Sequence, residues 1–207
     1  RNCSITNYLD AMKYILGCGG YAVRVGAAVA EPLPDLGDPR VVDYAWNHRS
    51  DFGDIYLFAK CKFLVGSSAG ILYGPIIFNV PVIQANGDPV AFFTFGAHDL
   101  FIPRPIWSKE EERFLTFREI LHSEVWSLRS FEAFEQAGLE LFENSPEEIL
   151  AVTREMNDRI DGRFVCAEEA QELQGRFHSL LQPRHWTYRT PVRVGEEYAL
   201  THRELFD

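Results

Sequence analysis

The sequence predicts an α/β fold: a Rossmann-like domain with a mostly parallel sheet and helices on both faces. Three observations predict it. Short apolar runs without alternation, FLV at 63–65 and PVIQ at 81–84, have the character of buried parallel strands. Stretches with apolar residues every three or four positions flank them. A glycine-rich turn, GSSAG at 66–70, joins a strand directly to a helix start, so β-turn-α-β recurs over about twenty residues. Composition agrees with a globular chain. Of 207 residues, 46% are apolar and 24% charged, which excludes a disordered or fibrous protein.

The elements follow in order. Ser4 opens a helix whose Ile5, Tyr8, Leu9, Met12, Ile15 and Leu16 share one face, and Gly17, Gly19 and Gly20 stop it. Residues 21–25 and 41–44 read as short strands, separated by a proline-rich loop at 31–39. Residues 51–59 read as a helix with Ile55, Phe58 and Ala59 inward, and residues 71–78 as a short helix between the FLV and PVIQ strands. The stretch 86–108 shows no period and reads as an irregular segment packed by aromatics. A short helix at 116–121 and a strand at 139–143 follow. Ser145, Pro146 and Glu148 then give a capped helix start, the S-x-x-E box with proline at the first helical position. Ile149, Val152, Met156 and Ile160 carry that helix to Gly162. A further helix at 167–181 places Leu173, Phe177 and Leu180 on one side, and a short helix is expected at 201–206. Residues 1–165 are expected to form the main domain, and 166–207 a helical appendage packed on it.

Charge and cysteines narrow the function. Twenty basic against thirty acidic residues give −10, a surface that repels phosphate backbones, so nucleic acid is not an expected partner. Cys3, Cys18, Cys61 and Cys166 have no C-x-x-C spacing, which argues against structural zinc and for reduced, mostly buried thiols in the cytoplasm. No run of 18 apolar residues predicts a membrane span. Arg1 rather than Met opens the chain, so it reads as a piece of something longer.

The turn at 66–70 carries the most chemistry. A strand ending in Gly66, Ser67, Ser68 and Gly70 before a helix aims backbone N–H groups and two hydroxyls at one point, where a phosphate or diphosphate fits. Glycines let a ligand approach the backbone. The competing reading is a plain turn with a serine cap. Neither a Walker A lysine, nor G-x-G-x-x-G, nor G-x-S-x-G is present.

The blocks YLDAMKYILGCGGYAVRVG, VVDYA, DFGDIYLFAKCKFLVGSSAGI, FNVPVIQAN, HDLFIPR and ENSPEEI, in this order from residue 1 to about 162, resemble a family of bacterial glycosyltransferases associated with surface-carbohydrate biosynthesis. The family is similar to the carboxy-terminal, donor-binding half of a GT-B enzyme. The resemblance implies a nucleotide-sugar donor, a glycan acceptor, and an amino-terminal domain that supplies the acceptor site and general base.

On the residues themselves, Arg24 at the end of the first strand suits a diphosphate. Asp43 and Asp54 suit a ribose or base edge, and equally an ion pair or helix cap. Asn86 suits a sugar or acceptor contact, and otherwise a turn. Asn2 is a weaker candidate of the same kind. His98 and Asp99 form the one His–acid neighbour pair in an expected loop and are candidates for acid/base work, against a plain loop turn. Phe92, Phe93, Phe95 and Phe101 suit an acceptor platform or a hydrophobic cluster, and 109–113 a solvated face. No D-x-D is present, so no metal and no cofactor is expected beyond the donor. Two rival functions are a nucleotide-sugar epimerase on the same scaffold and a non-catalytic interaction domain.

Overall fold

The computed structural model describes residues 3–87 and 96–207. A 3₁₀ turn, Ile5–Tyr8, starts where the Ser4 hydroxyl accepts the Thr6 N–H, and it runs into α1 (Leu9–Gly17). β1 (Ala22–Val23) and β2 (Val41–Val42) follow, then α2 (Tyr44–Asn47) and α3 (Asp51–Lys60), the latter capped by Ser50 on the Gly53 N–H. β3 (Leu64–Gly66) leads through a 3₁₀ turn, Gly70–Leu72, into α4 (Tyr73–Ile77) and β4 (Val82–Gly87). Next come β5 (Leu100–Pro103), β6 (Ile106–Ser108), β7 (Arg113–Phe114), α5 (Phe117–His122), α6 (Phe131–Gln136) and β8 (Leu139–Leu141). α7 (Pro146–Ile160), α8 (Glu168–Leu180), β9 (Arg193–Val194), α9 (Glu196–Thr201) and a 3₁₀ turn, Arg203–Phe206, complete the chain.

The central sheet is parallel throughout, in the order β3-β4-β5-β9, and helices flank it. β4 and β5 are buried along their whole length; β5 is accordingly apolar without alternation, while β4 also seals two polar residues, Gln84 and Asn86. α7 lies against both strands. Its Ile149, Val152 and Met156 are sealed, as the spacing predicts, whereas Ile160 at the last turn is 37% exposed. α8 buries Leu173, Phe177 and Leu180, also as predicted. Phe177 joins the two halves of the core. Its ring lies 5.4 Å from Phe101 on β5 and 5.2 Å from Phe117, which in turn lies 4.9 Å from Phe206. Aromatic pairs at such spacings add to the area they bury. Residues 166–207 thus pack on the rest through a shared core and also supply the edge strand β9.

Several expectations are corrected. β1 and β2 pair with each other in parallel, as a separate two-stranded sheet. The stretch read as irregular contains β5 and β6, whose apolar runs are cut short by Pro103 and Pro105 and so show no period. An antiparallel sheet, β7-β6-β8, was not anticipated. Ile55, expected inward on α3, is 55% exposed. The helix turns Phe58 inward onto Leu64, Leu72 and Val82, and Ile55, about 60° round the helix from it, already lies on the exposed side. The helix expected at 201–206 is the 3₁₀ turn Arg203–Phe206, and α9 just ahead of it was not anticipated. All four cysteines are free, as expected, but none is fully buried. Phe101 is in the main core rather than on an acceptor platform. Asn2, Phe92, Phe93 and Phe95 lie outside the described residues.

Phe177→Ala is expected to cost about 3–5 kcal/mol in chemical denaturation while unfolding stays a single transition. A loss confined to a minor second transition would mean that residues 166–207 do not share the core.

Candidate functional site

Because β3, β4 and β5 run parallel, their carboxyl ends share one edge, the edge where open α/β sheets bind ligands. The turn at 66–70 leaves β3 on this edge. Gly66 has no room for a side chain, since a Cβ would meet Leu72 Cδ2 at 2.9 Å. That glycine is therefore explained by the chain folding back on itself. Gly70 differs: a Cβ there meets nothing within 4 Å, and its φ is not in the left-handed region. The turn is closed by the Ala69 N–H donating to the Ser67 carbonyl at 2.6 Å and the Leu72 N–H donating to the Ala69 carbonyl at 3.1 Å. Ser68 points inward, 4% exposed, and its hydroxyl accepts Gln84 Nε2 from β4 at 2.9 Å. Ser67 is partly exposed at the turn. The helix after the turn is a 3₁₀ turn followed by the five-residue α4, so its dipole adds little.

Asn86 lies two strand positions beyond Gln84, in the left-handed region at φ +53°. It is 1% exposed and clasps Asn144. The Asn86 N–H donates to Asn144 Oδ1 at 2.6 Å, and the Asn144 N–H donates to Asn86 Oδ1 at 2.7 Å. Asn86 Nδ2 also donates to the Tyr8 hydroxyl at 3.2 Å, and Asn144 Nδ2 to the Pro103 carbonyl at 3.0 Å. Burial pushes the Tyr8 phenol well above its ordinary range. Asn86 is thus part of the floor of this edge, and its polar groups are spent on the protein. Arg104, just past β5, is 3% exposed, stacks over the Phe131 ring at 5.4 Å and belongs to the same edge.

Asn144 also leads into α7, whose first turn carries a pair that sequence reading missed. The Glu148 carboxylate accepts the Ser145 N–H at 2.9 Å through Oε2, completing the capping box, and meets His202 Nε2 at 2.6 Å through Oε1. The Tyr198 ring lies 4.5 Å from the His202 ring, and Glu204 Oε1 is 3.7 Å from Nδ1. The bond to Glu148 holds the imidazole above its ordinary pKa against the opposing pull of burial. Burial pushes Glu148 up, but the bonds from His202 and the Ser145 amide outweigh it and hold the carboxyl below its usual range. The partners are 54 residues apart, and the S-x-x-E pattern had already accounted for Glu148, so no local signal pointed to His202.

The remaining candidates are placed as follows. Arg24 leaves β1 and donates through Nη1 to the Glu31 carbonyl at 2.8 Å, with Asp43 Oδ2 at 3.5 Å. Asp43 Oδ2 also accepts the Leu33 N–H at 2.7 Å, so the two residues pin the proline-rich loop. Asp43 Oδ1 is sealed and has no hydrogen-bond partner among the described residues. Val25, next to Arg24, packs on the small cluster with Leu64 and Leu72, which brings the end of β1 toward the 66–70 turn. Asp54 pairs with Arg49 at 2.9 Å in the first turn of α3, a helix-start ion pair. His98 and Asp99 lie at the amino ends of the strands, on the opposite edge. There Asp99 accepts the Val82 N–H at 2.9 Å and the Gly96 N–H at 2.8 Å, so its carboxylate serves backbone amides. His98 is exposed beside it and lines a shallow recess with Arg159, Phe164 and Arg193. No group of side chains suited to hold a metal occurs among the described residues, and no described helix is long and apolar enough to cross a membrane.

Compared with protein-family models, curated proteins and solved structures, the chain matches none of them.

The Glu148–His202 pair sets a pH dependence. The raised His202 value means that its contribution is fully present below its ordinary 6.5 and is lost as pH rises through the higher folded value. The lowered Glu148 value means that its contribution is present above the ordinary 4.5 and is lost as pH falls through the lower folded value. His202→Gln, which keeps a donor but cannot titrate, is expected to flatten the fall in melting temperature as pH rises above about 6.5. An unchanged profile would show that the imidazole is not charged in the fold.

Proposed function

We propose that this chain is the donor-binding part of a glycosyltransferase of the GT-B type, with the sheet built as its carboxy-terminal Rossmann-like domain. In this reading it moves a sugar from a nucleotide-sugar to a bacterial surface glycan. The observation that carries the reading is the 66–70 turn at the carboxyl edge of the parallel sheet. There Gly70 stands beside open space, partly exposed Ser67 lies on the same turn, and Ser68 holds the turn from beneath through its bond to Gln84. The order of sequence blocks that resembles the glycosyltransferase family runs through this turn.

In the proposed reaction the diphosphate lies against the turn, and the backbone N–H groups there offset the charge that grows on the leaving oxygen. No metal is required. Arg24 reaches the diphosphate only by giving up its contact with Asp43, an exchange of one anion for another. The acceptor hydroxyl attacks the anomeric carbon with a base from an amino-terminal domain. His98 and Asp99 are not assigned that role, because they stand at the other edge of the sheet.

Thermal melting against UDP, GDP, ADP, CMP and their sugars, with and without Mg²⁺, tests the reading. One base is expected to raise the midpoint without metal, by the equivalent of about 2.7 kcal/mol at one hundred times Kd. Gly70→Glu places a carboxylate in the open space at little steric cost, so the fold is expected to survive while donor affinity falls at least about tenfold, the effect of 1.4 kcal/mol. Equal affinity in wild type and Gly70→Glu would overturn the site. Ser68 is the poorer position for such a test, since it is buried.

A further inference from the structure

The outward face of α3 is apolar where a surface helix is ordinarily polar. Phe52 is 78% exposed, Ile55 55% and Tyr56 54%. Their spacing of three and four puts them on one stripe. The Phe52 and Tyr56 rings stack at 6.1 Å. Ala59, one turn beyond Ile55, continues the stripe with a small side chain. α4 packs on the same helix, with Gly74 so close to the Phe58 ring that a Cβ there would clash, and Ile77 at its end and Phe78 just beyond add 79% and 42% exposed side chains. Large side chains cover on the order of 150–250 Å² each, so the five exposed residues on these two packed segments sum to roughly 600 Å² of apolar surface. That is at the upper end for a monomer and close to the ~800 Å² that each partner contributes to a standard interface.

We propose that a second copy of this chain covers this surface, with α3 packed antiparallel on the copy's α3 across a two-fold axis. The pattern of sizes along the stripe argues for a copy rather than another partner. α3 runs from Asp51 to Lys60, so its midpoint falls between Ile55 and Tyr56. A two-fold axis through that midpoint sets Ile55 beside the copy's Tyr56 and Phe52 over the copy's Ala59. The largest exposed ring then faces the smallest residue of the stripe, and does so twice, because a two-fold interface repeats each contact. The stripe itself carries no charge, so the −10 of each chain does not oppose contact at its centre.

Sedimentation velocity from about 1 to about 100 µM, a range that spans standard and weak interfaces, reads the proposal. Wild type is expected to dimerise within it. Phe52→Ala removes the ring, and Ala59→Phe drives a second ring against it, so each change alone is expected to weaken the dimer at least about tenfold. The double variant Phe52→Ala/Ala59→Phe exchanges ring and gap and is expected to restore dimerisation. Phe52 is largely exposed and Ala59 lies partly exposed on the same stripe, so circular dichroism should show an unchanged fold in every variant. A wild type that stays monomeric across the range, or a dimer that both single variants leave unchanged, or a double variant no better than the singles, would overturn it.

Discussion

The fold hangs on a reciprocal pair of buried asparagines. Asn86 lies near the end of the central strand β4 and Asn144 precedes α7, and each donates its backbone N–H to the other's side-chain oxygen. Both are sealed from solvent, so each amide must find its partners inside the protein. The pair ties strand to helix, and through Asn144 Nδ2 it also holds the end of β5 at Pro103. Tyr8 closes the network from the amino-terminal helix. Satisfied networks of this kind are stiff, while removal of one member leaves the others unpaired at a cost of about 1–3 kcal/mol each. The left-handed backbone of Asn86 belongs to the same constraint: asparagine tolerates that conformation, and its side chain is thereby turned to Asn144.

Legibility in the sequence followed the range of the physics involved. α7 was read correctly because its capping box, its first-turn proline and the 3, 4 spacing of Ile149, Val152 and Met156 are all local. α8 has no side-chain cap and was legible through the 4, 3 spacing of Leu173, Phe177 and Leu180 alone. β5 was missed because a fully buried strand has no alternation, and Pro103 and Pro105 shorten the run to a few residues. Ile55 was misplaced because periodicity marks which residues share a face and not which side of a broad apolar face is covered. On α3 more of the helix is apolar than the rest of the chain buries.

The candidate site divides in the same way. The GSSAG turn was legible as a strand-to-turn unit, and the structure sets it at the carboxyl edge of the sheet. The surroundings were not legible. Gln84 beneath Ser68, the Asn86–Asn144 clasp and the Glu148–His202 pair join residues from 16 to 58 positions apart. Arg24 and Asp43 were legible as strand-end charges, but their contact with each other depends on how the loop between them folds back. His98 and Asp99 are adjacent in sequence yet act apart, since the Asp99 carboxylate turns to the amides of Val82 and Gly96. Two edges of one parallel sheet therefore have different characters. The carboxyl edge has a glycine-serine turn over a buried polar floor, and the amino edge has a shallow recess beside Arg159 and Arg193.

The central claim is that the carboxyl-edge turn receives a nucleoside diphosphate. The most direct measurement is amide chemical-shift mapping of the labelled protein during titration with the nucleotide that raises its melting point. The account predicts the largest shifts at Ser67, Ser68, Gly70 and Ile71. Shifts centred instead on His98, Arg159 and Arg193 would place the anion at the opposite edge and contradict it.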